Sequence, residues 1–131
     1  MRLVALHLYK WKPEAPELYC TEQDLNEMWF YQRNIARDLI NFNSKTIAGR
    51  IPAGNKASIT LEDGVGVCHC WVTQDGIAAT AMTDPEYPER AAYTCLNNLI
   101  MDFRESGIPD NPMAAAGGVK FPKLEEYLRV W

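Results

Sequence analysis

Residues 2–10, RLVALHLYK, decide the fold, because both alternating faces of this stretch are apolar. Leu3, Ala5 and Tyr9 fall on one side, and Val4, Leu6 and Leu8 on the other. Side chains of a strand alternate with a period of two, so a segment that is greasy on both sides belongs at the centre of a sheet covered from both directions. Residues 77–83, IAATAMT, repeat the pattern, with Ile77, Ala79 and Ala81 set against Ala78 and Met82. Two central strands of this kind require helices above and below one sheet.

The rest of the chain supplies the other strands and the helices. Trp11–Pro16 holds two prolines and reads as a turn, and Glu17–Thr21 is a shorter, more polar strand that suits a sheet edge. A long helix is expected from Asp24 to about Ala48, with Asp24 and Glu27 at capping-box spacing. At about 100° per residue, Leu25, Met28, Trp29, Ile35, Ala36, Leu39, Ile40 and Ile47 gather on one broad stripe. Arg33, Asn34, Arg37, Asp38, Asn41, Ser44 and Lys45 fall opposite, and Phe30 points out of that polar face. Tyr31 and Phe42 sit together at one margin of the stripe, where they are either ordinary core rim or the wall of an apolar groove.

Beyond a loop marked by Gly49, Pro52 and Gly54, Lys56–Leu61 alternates as a half-buried strand. Ala57, Ile59 and Leu61 lie on one face, and Lys56, Ser58 and Thr60 on the other. Asp63-Gly64 and Asp75-Gly76 then turn the chain through Val65–Val72 into Ile77–Thr83, a three-strand antiparallel meander. Pro88 suits the first turn of a helix with Ala92, Cys95, Leu96, Leu99, Ile100 and Phe103 on its apolar face, and Gly107 closes it. Residues 108–118 read as loop, and Pro122 opens a last helix carrying Leu124, Tyr127, Leu128 and Trp131. The order β-β-α-β-β-β-α-α gives a three-layer α/β/α domain, with one long helix on one side and two on the other.

At 131 residues the chain is one domain, long enough for a core without staples. A net charge of −4, with no two basic residues adjacent, makes nucleic acid or an anionic membrane a poor partner for this domain alone. No apolar run reaches the length of a membrane span, and the start lacks a signal-peptide pattern. Four cysteines in largely apolar settings fit reduced thiols in the cytosol. Catalytic patterns are missing: no phosphate-binding glycine loop, no G-x-S-x-G and no H-E-x-x-H occur. Cys68-His69-Cys70 is the strongest temptation, but on a strand the two thiols share a face that His69 leaves, so the three cannot converge on one metal. Neither an enzyme nor a metal or other cofactor is expected.

One set of short stretches, in order and spacing, carries a resemblance. These are MRLVALHLYKW at the start, Phe30-Tyr31-Gln32-Arg33 and Phe42 on the long helix, Lys56-Ala57-Ser58, and Cys68-His69. Asp84-x-Glu86-Tyr87-Pro88-x-Arg90 and Phe121-Pro122-Lys123-Leu124-x-Glu126-Tyr127-Leu128 complete it. Over essentially its whole length the chain resembles the longin domains of prenylated, YKT-type R-SNAREs. The resemblance implies a profilin-like α+β fold, a five-stranded antiparallel sheet between one long helix and two C-terminal helices. It implies a regulatory role in vesicle fusion among endoplasmic reticulum, Golgi and endosomal or vacuolar membranes, by a cytoplasmic protein that cycles to their cytosolic faces. It also implies a closed, autoinhibited state, in which the domain folds back on its own SNARE segment and on the C-terminal prenyl or acyl lipid; partner SNAREs would compete. The binding groove then lies along the long helix and the third strand. Phe42 is its leading candidate, joined by Tyr31, Leu39, Ile35, Ala57, Ser58 and Ile59.

Two departures qualify this expectation. Residues 1–131 read as longin domain alone, without a heptad-patterned SNARE segment or a C-terminal cysteine for prenylation. The expectation is a regulatory domain separated from a longer chain; a free-standing longin-like scaffold subunit of a tethering or adaptor complex is the other reading. Tyr31 stands where the family tends to carry phenylalanine, and its hydroxyl needs a polar partner if buried.

Overall fold

A computed structural model describes residues 2–25, 30–61, 66–111 and 119–131, without the side chains of residues 30–33. The strands are β1 (Leu3–Lys10), β2 (Glu17–Gln23), β3 (Lys56–Thr60), β4 (Val67–Val72) and β5 (Ile77–Thr83). The helices are α1 (Phe30–Arg50), α2 (Glu89–Glu105) and α3 (Lys123–Val130), with a short 3-10 turn at Ile108–Asp110. The strands form one sheet in the order β2-β1-β5-β4-β3, antiparallel at every pairing. The two strands that are apolar on both faces, β1 and β5, pair with each other in the middle.

Alternation along these strands divides the core. Leu6 and Leu8 of β1, with Ile77, Ala79 and Ala81 of β5, pack under Ala92, Cys95, Leu96, Leu99, Ile100 and Phe103 of α2 and Leu124 of α3. The opposite face carries Tyr9, Cys70, Val72 and Ala78 against Ala48 of α1. Ala5, Cys68 and Met82 continue that face, with Ile40 and Ile47 of α1 against them. This is the three-layer arrangement that the two-faced strands demanded.

The long helix does not sit on the sheet as its spacing suggested. Asn41 and Ser44, expected on the solvent side, face inward. Ser44 is fully buried, and its Oγ lies 2.7 Å from the Tyr9 hydroxyl and 2.5 Å from Thr80 Oγ1. Asn41 Oδ1 accepts from Gln23 Nε2 at 2.7 Å and lies 2.8 Å from His7 Nε2. The reason is on the sheet: β1 and β5 present the polar groups of His7, Tyr9 and Thr80 to α1, and buried polar groups need partners. A polar seam therefore runs beneath α1, and Ile35 and Leu39 turn outward.

Both ends of the helix are tied to neighbouring parts of the chain. Asp24 precedes the described helix; its N–H donates to the Val4 carbonyl at 2.8 Å and its carboxylate pairs with Arg2 at 3.3 Å. Glu27, Met28 and Trp29 lie outside the described residues, as does the Asp63-Gly64 turn. At the other end α1 runs through Gly49 to Arg50. Gly49 serves there as a point of close approach, since a Cβ would stand 3.0 Å from Glu14 Cα and Pro16 Cδ of the β1–β2 turn. Residues 112–118 of the expected loop are likewise outside the described part.

Candidate functional site

Turning Asn41 and Ser44 toward the sheet places positions 35, 39 and 42 on the far side of α1, since residues at i, i+4 and i+7 share one stripe of a helix. The exposures agree: Ile35 is 62%, Leu39 58% and Phe42 60% accessible. Large apolar side chains scattered singly need no explanation, but three on one stripe make a patch. Helical geometry puts Leu39 about 100° from Ile40, which packs into the cluster of Cys68 and Met82 with Leu61 beside it. Leu61 follows directly on β3, so the Ile40 side of α1 lies toward the edge strand.

On β3 the alternation sorts the candidates. Ala57 is half-buried and packs against the cluster of Tyr9, Ala48 and Cys70, so it lies toward α1. Ile59 shares that face and is 43% accessible. Ser58 belongs to the opposite face. Its Oγ lies 2.7 Å from the Tyr93 hydroxyl of α2 and 2.7 Å from His69 Nδ1 of β4, so the structure removes it from the lining of the flank. The side chain of Tyr31 lies outside the described part. The structure thus leaves Ile35, Leu39 and Phe42 exposed on one stripe of α1 and Ile59 exposed on the α1-facing side of β3, with Ala57 set deeper. No charged side chain belongs to that set, so it can offer a partner apolar area and shape but no proton or metal chemistry.

Elsewhere the described side chains offer a different chemistry. Cys68 and Cys70 are fully buried toward α1, whereas the His69 ring is engaged on the α2 side, the divergence that strand alternation requires. Burial raises the thiols of Cys70 and Cys95 to about 12, far from the range of a nucleophile. A cleft of about 510 Å³ opens elsewhere, bordered by Arg2, Asp24, Glu125 and Arg129. Its mostly charged rim does not suit an apolar tail. Among the described residues no helix is long and apolar enough to cross a membrane.

Sequence reading missed the back of β3. Lys56 Nζ sits 4.7 Å from the centre of the Trp71 ring and 4.8 Å from that of Tyr93. The available signal was the Asp63-Gly64 turn: a two-residue loop there puts Ser58 opposite His69 and Lys56 opposite Trp71, which is the observed register.

Comparison with known proteins agrees with the architecture. The family model of the longin, or regulated-SNARE-like, domain matches residues 25–128. The chain belongs to the longin family. Its relatives include the synaptobrevin homolog ykt6 of Schizosaccharomyces pombe, 31% identical over 128 residues, which cover 98% of this chain and 64% of that protein. The synaptobrevin homolog YKT6 of Eremothecium gossypii is 37% identical over 112 residues, covering 83% of this chain and 55% of the relative. That of Saccharomyces cerevisiae is 35% identical over 81 residues, 62% of this chain and 40% of the relative. The chain spans roughly half the length of the curated relatives it matches.

Proposed function

We propose that this longin domain is the regulatory part of a vesicle-fusion R-SNARE, and that the α1–β3 flank receives an apolar segment of the same protein. The observation that carries the reading is the stripe Ile35, Leu39 and Phe42, each more than half exposed, together with the exposed Ile59 on the edge strand. Met101 and Val130 are exposed singly, whereas three exposed apolar side chains on one stripe form a patch of the kind that something else covers. The occupant is the apolar face of the SNARE segment or the attached lipid. Because either is tethered, its effective concentration is in the roughly millimolar range, and a weak site would still be mostly filled. Membranes and partner SNAREs then act by binding only the open form, which gives an autoinhibited protein that cycles between cytosol and membrane surface.

The test is a titration of this domain with a single-chain dodecyl amphiphile below its micelle concentration, and with an amphipathic SNARE peptide. Phe42→Glu is expected to shift the denaturation free energy by no more than about 0.5 kcal/mol, because the position is exposed. It is expected to weaken binding about tenfold or more, since a buried phenylalanine contributes about 1.5–3 kcal/mol. Equal affinities for wild type and variant would remove Phe42 from the site.

A further inference from the structure

The strand that forms one side of this flank is held from behind. β3 is five residues long, lies at the end of the sheet and pairs only with β4; none of its side chains is fully buried. Its α1-facing side offers little anchorage, with Ala57 half-buried and Ile59 exposed. Its reverse side is gripped by Lys56 over the rings of Trp71 and Tyr93, and by Ser58, which lies between Tyr93 and His69.

The direction of every hydrogen bond through Ser58 follows from one carbonyl. Thr83 Oγ1 donates to the Asp84 carbonyl at 2.9 Å, and a carbonyl can only accept. The Thr83 oxygen, 3.1 Å from His69 Nε2, must therefore accept from the ring, which places the imidazole proton on Nε2. Burial disfavours the charged form of His69 against the opposing pull of Glu89, and a neutral ring that carries its proton on Nε2 leaves Nδ1 bare. The Ser58 hydroxyl donates to that Nδ1 and accepts in turn from the Tyr93 phenol, whose proton burial also retains. One ordered chain runs from Tyr93 of α2 through Ser58 of β3 and His69 of β4 to Thr83 of β5 and the Asp84 backbone. It crosses three neighbouring strands, directly from Ser58 to the opposing His69 and diagonally from His69 to Thr83, which pairs with Val67.

We propose that the Tyr93–Ser58–His69–Thr83 chain is a latch that sets the position of β3, making Ser58, His69 and Tyr93 positioning residues for the docking flank on the strand's other face. Only the last readout below rests on the docking function. In wild type, nitrogen chemical shifts of the His69 ring should report the Nε2–H tautomer. Ser58→Ala should speed amide hydrogen exchange across residues 56–60 about tenfold, the scale set by losing a part-buried hydroxyl that joins two hydrogen bonds, while β1 and β5 keep their protection. Ser58→Thr, which keeps the hydroxyl, should restore the wild-type rate. Ser58→Ala should also weaken dodecyl-amphiphile binding several-fold, although Ser58 does not line the flank.

An Nδ1–H tautomer, or exchange at 56–60 unchanged in Ser58→Ala, would overturn the latch. So would an increase spread evenly over all strands, because that is global destabilisation. If wild type fails to bind the amphiphile while the local exchange difference persists, the latch stands and the docking function falls.

Discussion

His7 has no room to be charged. Burial drives its imidazole down to about 4, and the hydrogen bond to Asn41 only partly offsets this. Between pH 4 and the ordinary histidine value of 6.5, the unfolded chain binds a proton that the folded one refuses. The contribution to stability is thus complete above 6.5 and is lost as pH falls, reaching about 3 kcal/mol near pH 4. Urea unfolding of wild type should show this decline, and His7→Gln, which has no proton to take up in the unfolded chain, should flatten it. An identical slope in the variant would assign the acid sensitivity to other groups. Residue chemistry at this site was only half legible in the sequence. Phe42, Leu39 and Ile35 stood out as apolar, but their exposure depends on Asn41 and Ser44 being called inward by His7, Tyr9 and Thr80. Those partners are 34–36 residues away along the chain, beyond the reach of helical periodicity. Ser58 was the opposite case: alternation alone puts it on the face away from Ile59, and the structure follows alternation.

As an element, α1 is secured unevenly. Its C-terminal end is clasped by the turn between β1 and β2: the Glu14 N–H donates to the Gly49 carbonyl at 2.8 Å and Trp11 Nε1 to the Ile51 carbonyl at 3.1 Å. Glu14 takes a left-handed backbone, φ 61°, to reach it. Toward the N-terminal half, Asn34, Ile35, Arg37, Asp38 and Leu39 are all exposed. Gly49→Ala pushes a methyl group to 3.0 Å from Glu14 Cα and should cost about 1–3 kcal/mol, seen as a lower denaturation midpoint. A neutral effect would show that the turn can retreat. Elements with strong periodicity were legible to within a residue or two: β5 at 77–83, β1, and the α2 face from Ala92 to Phe103. The start of α1 is not among them: the described helix begins at Phe30, and residues 26–29, on which the Asp24–Glu27 capping box depends, lie outside the described part.

For the whole molecule, the four thiols report on how tightly the layers close. Cys68, Cys70 and Cys95 are fully buried, one pair toward α1 and one residue toward α2, and Cys20 is half-buried in β2. Burial raises Cys20, Cys70 and Cys95 to about 12 and Cys68 further still. A thiol reagent at neutral pH should therefore label the native protein slowly and label all four at once in denaturant. A single cysteine reacting within seconds in the native state would reopen the case for thiol chemistry.

The sheet order has a consequence for how this molecule comes into being. The first strand of the domain to be made is an interior strand, and its inner neighbour, β5, ends at Thr83. Sixty residues separate Gln23, the end of the first hairpin, from Thr83, so at roughly 5–20 residues per second that hairpin waits several seconds with one oily side uncovered. Nascent chains of this topology spend that interval in the state most open to chaperones and to premature association.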